Sequence, residues 1–219
     1  CDPEYVSTTI VTRITIMKNT LAFAATAALA FASLAGAATY DIDASHSRAS
    51  FKVRHLMISN VRGDFSGIKG SIEFDAAKPA AAKIEAVIDV NTINTAEPKR
   101  DAHLKSPDFF DTAKYPTISF KSKSVVKTGA NKFNATGDLT MHGVTRQVVL
   151  AVETTPDVKD PWGNVRMGAS ATTKINRKDF GLAWNQALET GGVAVGEEVE
   201  ISLDVELVKK AAAASKPTN

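Results

Sequence analysis

The chain has a single cysteine, Cys1, at the start of its 219 residues. The rest of the chain therefore has no intrachain disulfide, no thiolate nucleophile and no cysteine-based metal site. No cysteine follows the apolar segment near the start, which argues against an acylated lipoprotein. An excess of one charge is also lacking. Lys and Arg number 26 against 24 Asp and Glu, a formal net charge of +2 with the signs interspersed, so no basic stripe marks the chain for nucleic acid. Recognisable catalytic motifs are missing too. Neither H-E-x-x-H nor G-x-S-x-G occurs, and His46, His55, His103 and His142 stand outside any known metal or catalytic pattern. A strongly apolar run of membrane-spanning length is absent as well. Leu21 to Leu34 is uncharged but alanine-rich, and falls short of the roughly 20 residues a span needs.

That segment has another reading. Met17-Lys-Asn-Thr supplies a positive start, Leu21 to Leu34 an apolar middle, and Ala35-Gly-Ala37 the small residues a signal peptidase requires. We expect residues 1–16 to be an upstream non-native leader and 17–38 a signal peptide cleaved near Ala37 or Ala38, with export most simply to a bacterial periplasm. The folded domain is expected over 39–209, long enough for one substantial core. The last ten residues, rich in Ala, Ser and Lys, have no apolar pattern and are expected to be a disordered tail over 210–219.

Between Tyr40 and Val208 the chain reads as strands separated by Gly, Pro, Asn and Asp. Val199, Ile201, Leu203, Val205 and Leu207 alternate with acids and a serine, which puts every apolar side chain on one face. Ile84, Ala86, Ile88 and Val90 do the same, with Val87 the exception. Further strands are expected over 49–57, 61–74, 117–126, 132–141, 144–153 and 167–175. Hairpins are expected at Ser66 to Gly70 and at His142-Gly143. About eight antiparallel strands with one polar face would expose an edge unless the sheet closes, so a barrel is the economical solution, with a two-sheet sandwich as the alternative.

The run Arg100 to Ser122 is unusual for a surface connection. Helix-compatible residues stop at Ser106-Pro107, two phenylalanines follow, Phe109 and Phe110, and a strand pattern resumes after Tyr115-Pro116. With His46-Ser47, Phe51-Lys-Val-Arg-His55, Gly63-Asp-Phe-Ser-Gly67, Ile72-Glu-Phe-Asp75, Gly137 to Gly143 and Asn176-Arg-Lys-Asp-Phe-Gly181, in that order, the chain resembles the YceI family of polyisoprenoid-binding proteins from Tyr40 to Val208. The resemblance implies an all-β, eight-stranded antiparallel lipocalin-like barrel, a short helical segment over one end, and an internal channel for a long isoprenoid chain.

The expected ligand-binding residues follow from both lines. Phe51, Val53, Phe65, Ile88, Phe120 and Met141 would form the wall, Phe109 and Phe110 the flap, and Phe180, Trp184 and Asn185 an apolar wall with an amide rim. His55 shares the parity of Phe51 and Val53 and should point inward if its strand stays regular; it is either a hydrogen-bonded interior group or a ligand contact. Arg100 and His103, three apart on a short helix, share a face that could take a phosphate, a quinone oxygen or a carboxylate, unless Arg100 simply pairs with Asp101 or Glu97.

Three functions fit. The first is a carrier for a long isoprenoid lipid of quinone or polyprenyl type, with no catalytic residue, metal or cofactor. The second is a small-lipid or amide hydrolase using His55 or His103 with Asp101 or Asp108. The third is a stress-related protein whose barrel is filled with side chains. An isoprenoid or other long-chain lipid is the expected partner, with no nucleic acid and no stable membrane anchor; a homodimer is compatible with the sequence.

Overall fold

The computed structural model describes residues 37–189 and 191–211. The expected leader, nearly all of the signal peptide, and the tail beyond Ala211 lie outside the described residues. Among the described residues the strands are β1 (Ala38–Ile42), β2 (Arg48–His55), β3 (Ser59–Phe65), β4 (Lys69–Phe74), β5 (Lys83–Asp89), β6 (Thr117–Gly129), β7 (Lys132–Met141), β8 (Val144–Thr154), β9 (Val158–Lys159), β10 (Val165–Asn176) and β11 (Val195–Lys209), with one α-helix, α1 (Pro98–Lys105).

All pairings are antiparallel, and β10 meets β11 as well as β8, so the sheet closes on itself. β1 and β2 pair with successive stretches of β11, Tyr40 opposite Lys209 and Phe51 opposite Ile201, so together they make one wall strand broken at 43–47. β3 on β2 and β4 on β1 repeat the arrangement, broken at 66–68. β8 and the two-residue β9 likewise pair with successive stretches of β10, and counting each broken pair once, the wall is an eight-stranded antiparallel barrel with one short helix. Closure leaves few edges: above the end of β5 the outer side of β3 is met by Asn94, whose N–H and C=O both bond Asp64 at 2.9 Å.

The expected hairpin at Ser66 to Gly70 does not form. β3 and β4 run in the same direction, and Gly67, at φ 73°, serves a jog between them. The reversal occurs earlier, at Leu56, Met57 and Ile58, where His55 faces Ser59, so the expected strand 49–57 ends at His55. The hairpin at His142-Gly143 is as expected: Met141 faces Val144, and both turn residues have positive φ, 52° and 73°, the geometry that matches the twist of the flanking strands.

A register shift in β6 between Ser122 and Ser124 moves the inward set from Ile118 and Phe120 to Val125. α1 begins two residues before Arg100. Pro98 occupies its first turn, and the Glu97 carboxylate accepts from the Lys99 N–H at 3.0 Å. One end of the barrel is closed by Tyr40, Met167 and Leu207 with Phe74 packed against them, and Phe74 meets Phe133 edge-on at 5.3 Å. At the other end Leu104 of α1 and Phe110 pack on Phe65, Ile68 and Val90.

Candidate apolar channel

Between those two ends the barrel is hollow. Ile72, Ile84, Ile88, Leu139, Val152 and Leu203 all face inward yet keep part of their surface accessible, which a filled core would have removed. Small inward residues create the room: Ala49 on β2, Ala86 on β5, Ala169 and Ala171 on β10. The cavity has a volume of about 230 Å³ and an apolar lining surface. Its lining on β11 runs from Val195 to Val205, on the order of 30 Å along a strand at about 3.4 Å per residue. A long and narrow space suits a thin, extended apolar occupant.

Of the residues expected to bind ligand, Phe51, Val53, Phe65, Ile88, Phe109, Phe110, Phe120 and Met141 line this channel. Phe51, Phe65 and Phe110 meet in sequence, the first pair tilted and the second edge-on, with ring centroids 5.7 and 5.8 Å apart. Two of the rings need glycine opposite them. A Cβ on Gly63 would lie 2.5 Å from the Phe51 ring, and one on Gly137 would lie 2.6 Å from that of Phe120.

The remaining candidates are engaged elsewhere. Arg100 donates from Nε to the Thr95 hydroxyl and from Nη2 to its carbonyl, both at 2.7 Å, while Asp101 accepts from the Thr95 N–H at 2.9 Å and its hydroxyl at 2.5 Å. Arg100 thus pins the segment before α1 rather than pairing with Asp101 or Glu97. His103 bonds Asp108 through Nε2 at 2.9 Å and meets Phe109 and Trp184 edge-on, each at 5.0 Å. Arg100 and His103 therefore have different partners within the fold. Asn185 gives both ends of its amide to the backbone of Val195, at 2.7 and 3.0 Å, in imitation of a strand neighbour. Phe180 is buried in the core beside the channel, and its carbonyl lies 3.2 Å from His142 Nδ1. His55 sits at the end of β2 opposite Val195, outside the lining, because the strand turns there.

Arg177, which the ligand-binding set omitted, is 3% exposed, and its side chain borders the channel. Its guanidinium donates to the carbonyls of Gly196 at 2.9 Å, Val195 at 3.3 Å and Leu182. Burial pushes its pKa below the ordinary arginine value, Glu197 opposing the effect. It ties the loop after β10 to the start of β11. Its position in a short turn carries no periodic signal, and only the charge run Arg177-Lys178-Asp179 pointed to it.

Outside the channel, Asp43, His46 and Glu206 are close enough to one another to suggest a metal cluster. The Arg166 guanidinium already lies between the carboxylates, at 2.8 Å from Asp43 and 2.5 Å from Glu206, and supplies the cation.

A family model described as a YceI-like domain matches residues 40–207. The UPF0312 protein of Azotobacter vinelandii is 38% identical over 198 residues, spanning 89% of this chain and 100% of that protein. Among solved structures, the YCEI protein of Campylobacter jejuni is similar with a TM-score of 0.61 at 34% identity, over 72% of this chain and 90% of that one. A polyisoprenoid binding domain from Saccharophagus degradans shares the fold at 16% identity and a TM-score of 0.59, over 80% of this chain and 99% of that one. With about three quarters of its length matched by the family model and a relative 38% identical over 89% of it, the chain belongs to the YceI family.

Proposed function

We propose that this protein is an exported carrier that holds a long isoprenoid lipid, of quinone or polyprenyl type, in the barrel channel. The observation that carries the reading is the hollow, apolar lining of a cavity long relative to its volume. A packed barrel would have no such space, and a site built for catalysis would present polar groups to it. The fold shared with the Saccharophagus polyisoprenoid binding domain supports the same reading. Export rests on the order of charge, apolar run and small residues from Met17 to Ala37. A soluble periplasmic carrier without a membrane anchor is the form this implies.

The test is organic extraction and native mass spectrometry of the protein purified from its own host. A bound prenyl lipid, with the mature chain starting at Ala38 or Thr39, is the expected result. An empty barrel that takes up no added quinone or polyprenyl phosphate would overturn the reading, and turnover of the extracted lipid would replace it with the hydrolase.

A further inference from the structure

The tip of the β2–β3 hairpin carries apolar residues on the outside. Leu56, Met57 and Ile58 form its tip and are 37%, 48% and 78% exposed. Leu56 and Met57 hold left-handed backbone, φ 49° and 61°, which asparagine or glycine adopts far more easily. The turn is nevertheless tied down: the Leu56 N–H donates to the Ala194 carbonyl at 2.8 Å and the Ile58 N–H to that of His55 at 3.1 Å. A turn needed only for reversal would be relieved by polar or glycine residues. Here three bulky apolar side chains are displayed in a strained backbone at one extremity of the barrel.

Two further observations say what they meet. Arg54 and Arg62, both exposed and on the outer face of the same hairpin, have no ion-pair partner within 4 Å among the described residues. The inner face of the hairpin, Phe51 and Val53, is channel wall, and Val195, opposite His55 at its base, lines the channel as well. The adjoining loop, with Gly192 against Met57, brings one carboxylate, Glu189. Apolar side chains at the tip, guanidinium groups without a close ion pair behind them and an apolar channel beneath fit one kind of partner, an anionic bilayer surface. Trp162, 82% exposed, lies at the opposite end, where Tyr40, Met167 and Leu207 close the interior, and has no such setting.

We propose that the Leu56-Met57-Ile58 tip inserts into an anionic lipid bilayer, with Arg54 and Arg62 on the head groups, and that channel lipid is exchanged at this end of the barrel. The exchange rests on the carrier reading; the docking does not.

The test is flotation of the purified full chain with phosphatidylglycerol–phosphatidylethanolamine vesicles and with phosphatidylcholine vesicles. The variant L56N/M57G/I58S removes the apolar tip while supplying residues suited to its backbone, so its thermal midpoint should not fall. Wild type is expected to float with the anionic vesicles and much less with the neutral ones. The tip variant should partition at least about tenfold more weakly, the equivalent of losing the burial of one apolar side chain. R54Q/R62Q should lose the preference for anionic lipid, and W162S should behave as wild type. Equal flotation of wild type and the tip variant would overturn the proposal, as would a concentration-dependent dimer, abolished in that variant, without vesicle binding. Protein that carries no lipid yet floats through the tip would refute the carrier and leave the docking standing. Lipid-loaded protein that does not float would do the reverse.

Discussion

Gly137 and Gly63 both face a phenylalanine ring, yet they should respond differently to a methyl group. A Cβ on Gly137 would lie 2.5 Å from the Lys121 carbonyl oxygen, which is fixed in the sheet. Gly137→Ala is expected to cost about 1–3 kcal/mol in chemical denaturation. At Gly63 the obstacles are the Thr95 methyl and the Phe51 ring, and the ring borders the hollow channel and can give way. Gly63→Ala should cost less stability but displace Phe51 and lower lipid uptake, and uptake equal to wild type would mean that Phe51 does not set the bore. Arg177→Met strips the donors from three backbone carbonyls. It should cost about 3 kcal/mol, with Arg177→Lys recovering little because an ammonium cannot span the same fork. Strand parity made Phe51, Val53, Ile88 and Phe120 legible from sequence, since alternation survives wherever a strand is regular. His55 was misplaced because nothing in Leu56-Met57-Ile58 announces a turn. Arg177 went unselected because a buried cation in a turn looks like an exposed one until its carbonyl partners are known.

The segment from His103 to Tyr115 lies over one end of the barrel, the position of a lid, and is fastened by side chains. His103 joins Asp108 by a hydrogen bond and Phe109 and Trp184 by ring contacts, and Trp184 meets Phe109 at 5.2 Å. Trp162 and Trp184 are the only tryptophans in the chain, so Trp162→Phe leaves a single fluorophore against the lid. Its emission should shift and its iodide quenching change when lipid is loaded, while the wild-type signal is diluted by the exposed Trp162. An unchanged Trp184 signal on loading would show that the lid does not respond to occupancy. The end of α1 is legible in Ser106-Pro107, whereas its start is a glutamate cap and a first-turn proline, Glu97-Pro98, which read equally well as a loop. β7 and β8 were legible because alternation and His142-Gly143 agree. β3 and β4 were not, since a glycine that permits a jog is indistinguishable in sequence from one that permits a reversal.

At the scale of the whole molecule, Arg166 ties the turn after β1, the turn before β10 and β11 through Asp43, Asp160 and Glu206. Hydrogen bonds from Ser45, Arg166 and His46 hold the Asp43 carboxyl well below the usual carboxylate range, and Arg166 does the same for Asp160. Carboxyls depressed in the folded state contribute fully above the unfolded value of about 3.9 and lose that contribution as pH falls. His46 has the opposite sign. Asp43 raises its pKa, so its contribution is complete below about 6.5 and fades as pH rises through the folded value. Arg166→Met should lower the thermal midpoint at pH 6 and flatten its decline between pH 5 and 2; an unchanged acid slope would remove this cluster from the response. The pairing of β11 has a further consequence, in time rather than in space. This one strand lies against β1, β2 and β10, so a nascent chain that has emerged only as far as Gly192 holds three strands each with one edge left unpaired. Closing the wall joins Tyr40 to Lys209, a contact between the two ends of the domain, and such non-local pairing folds in milliseconds to seconds rather than microseconds. The barrel should refold slowly and in a single late step, and chains terminated before Val195 should aggregate instead of folding.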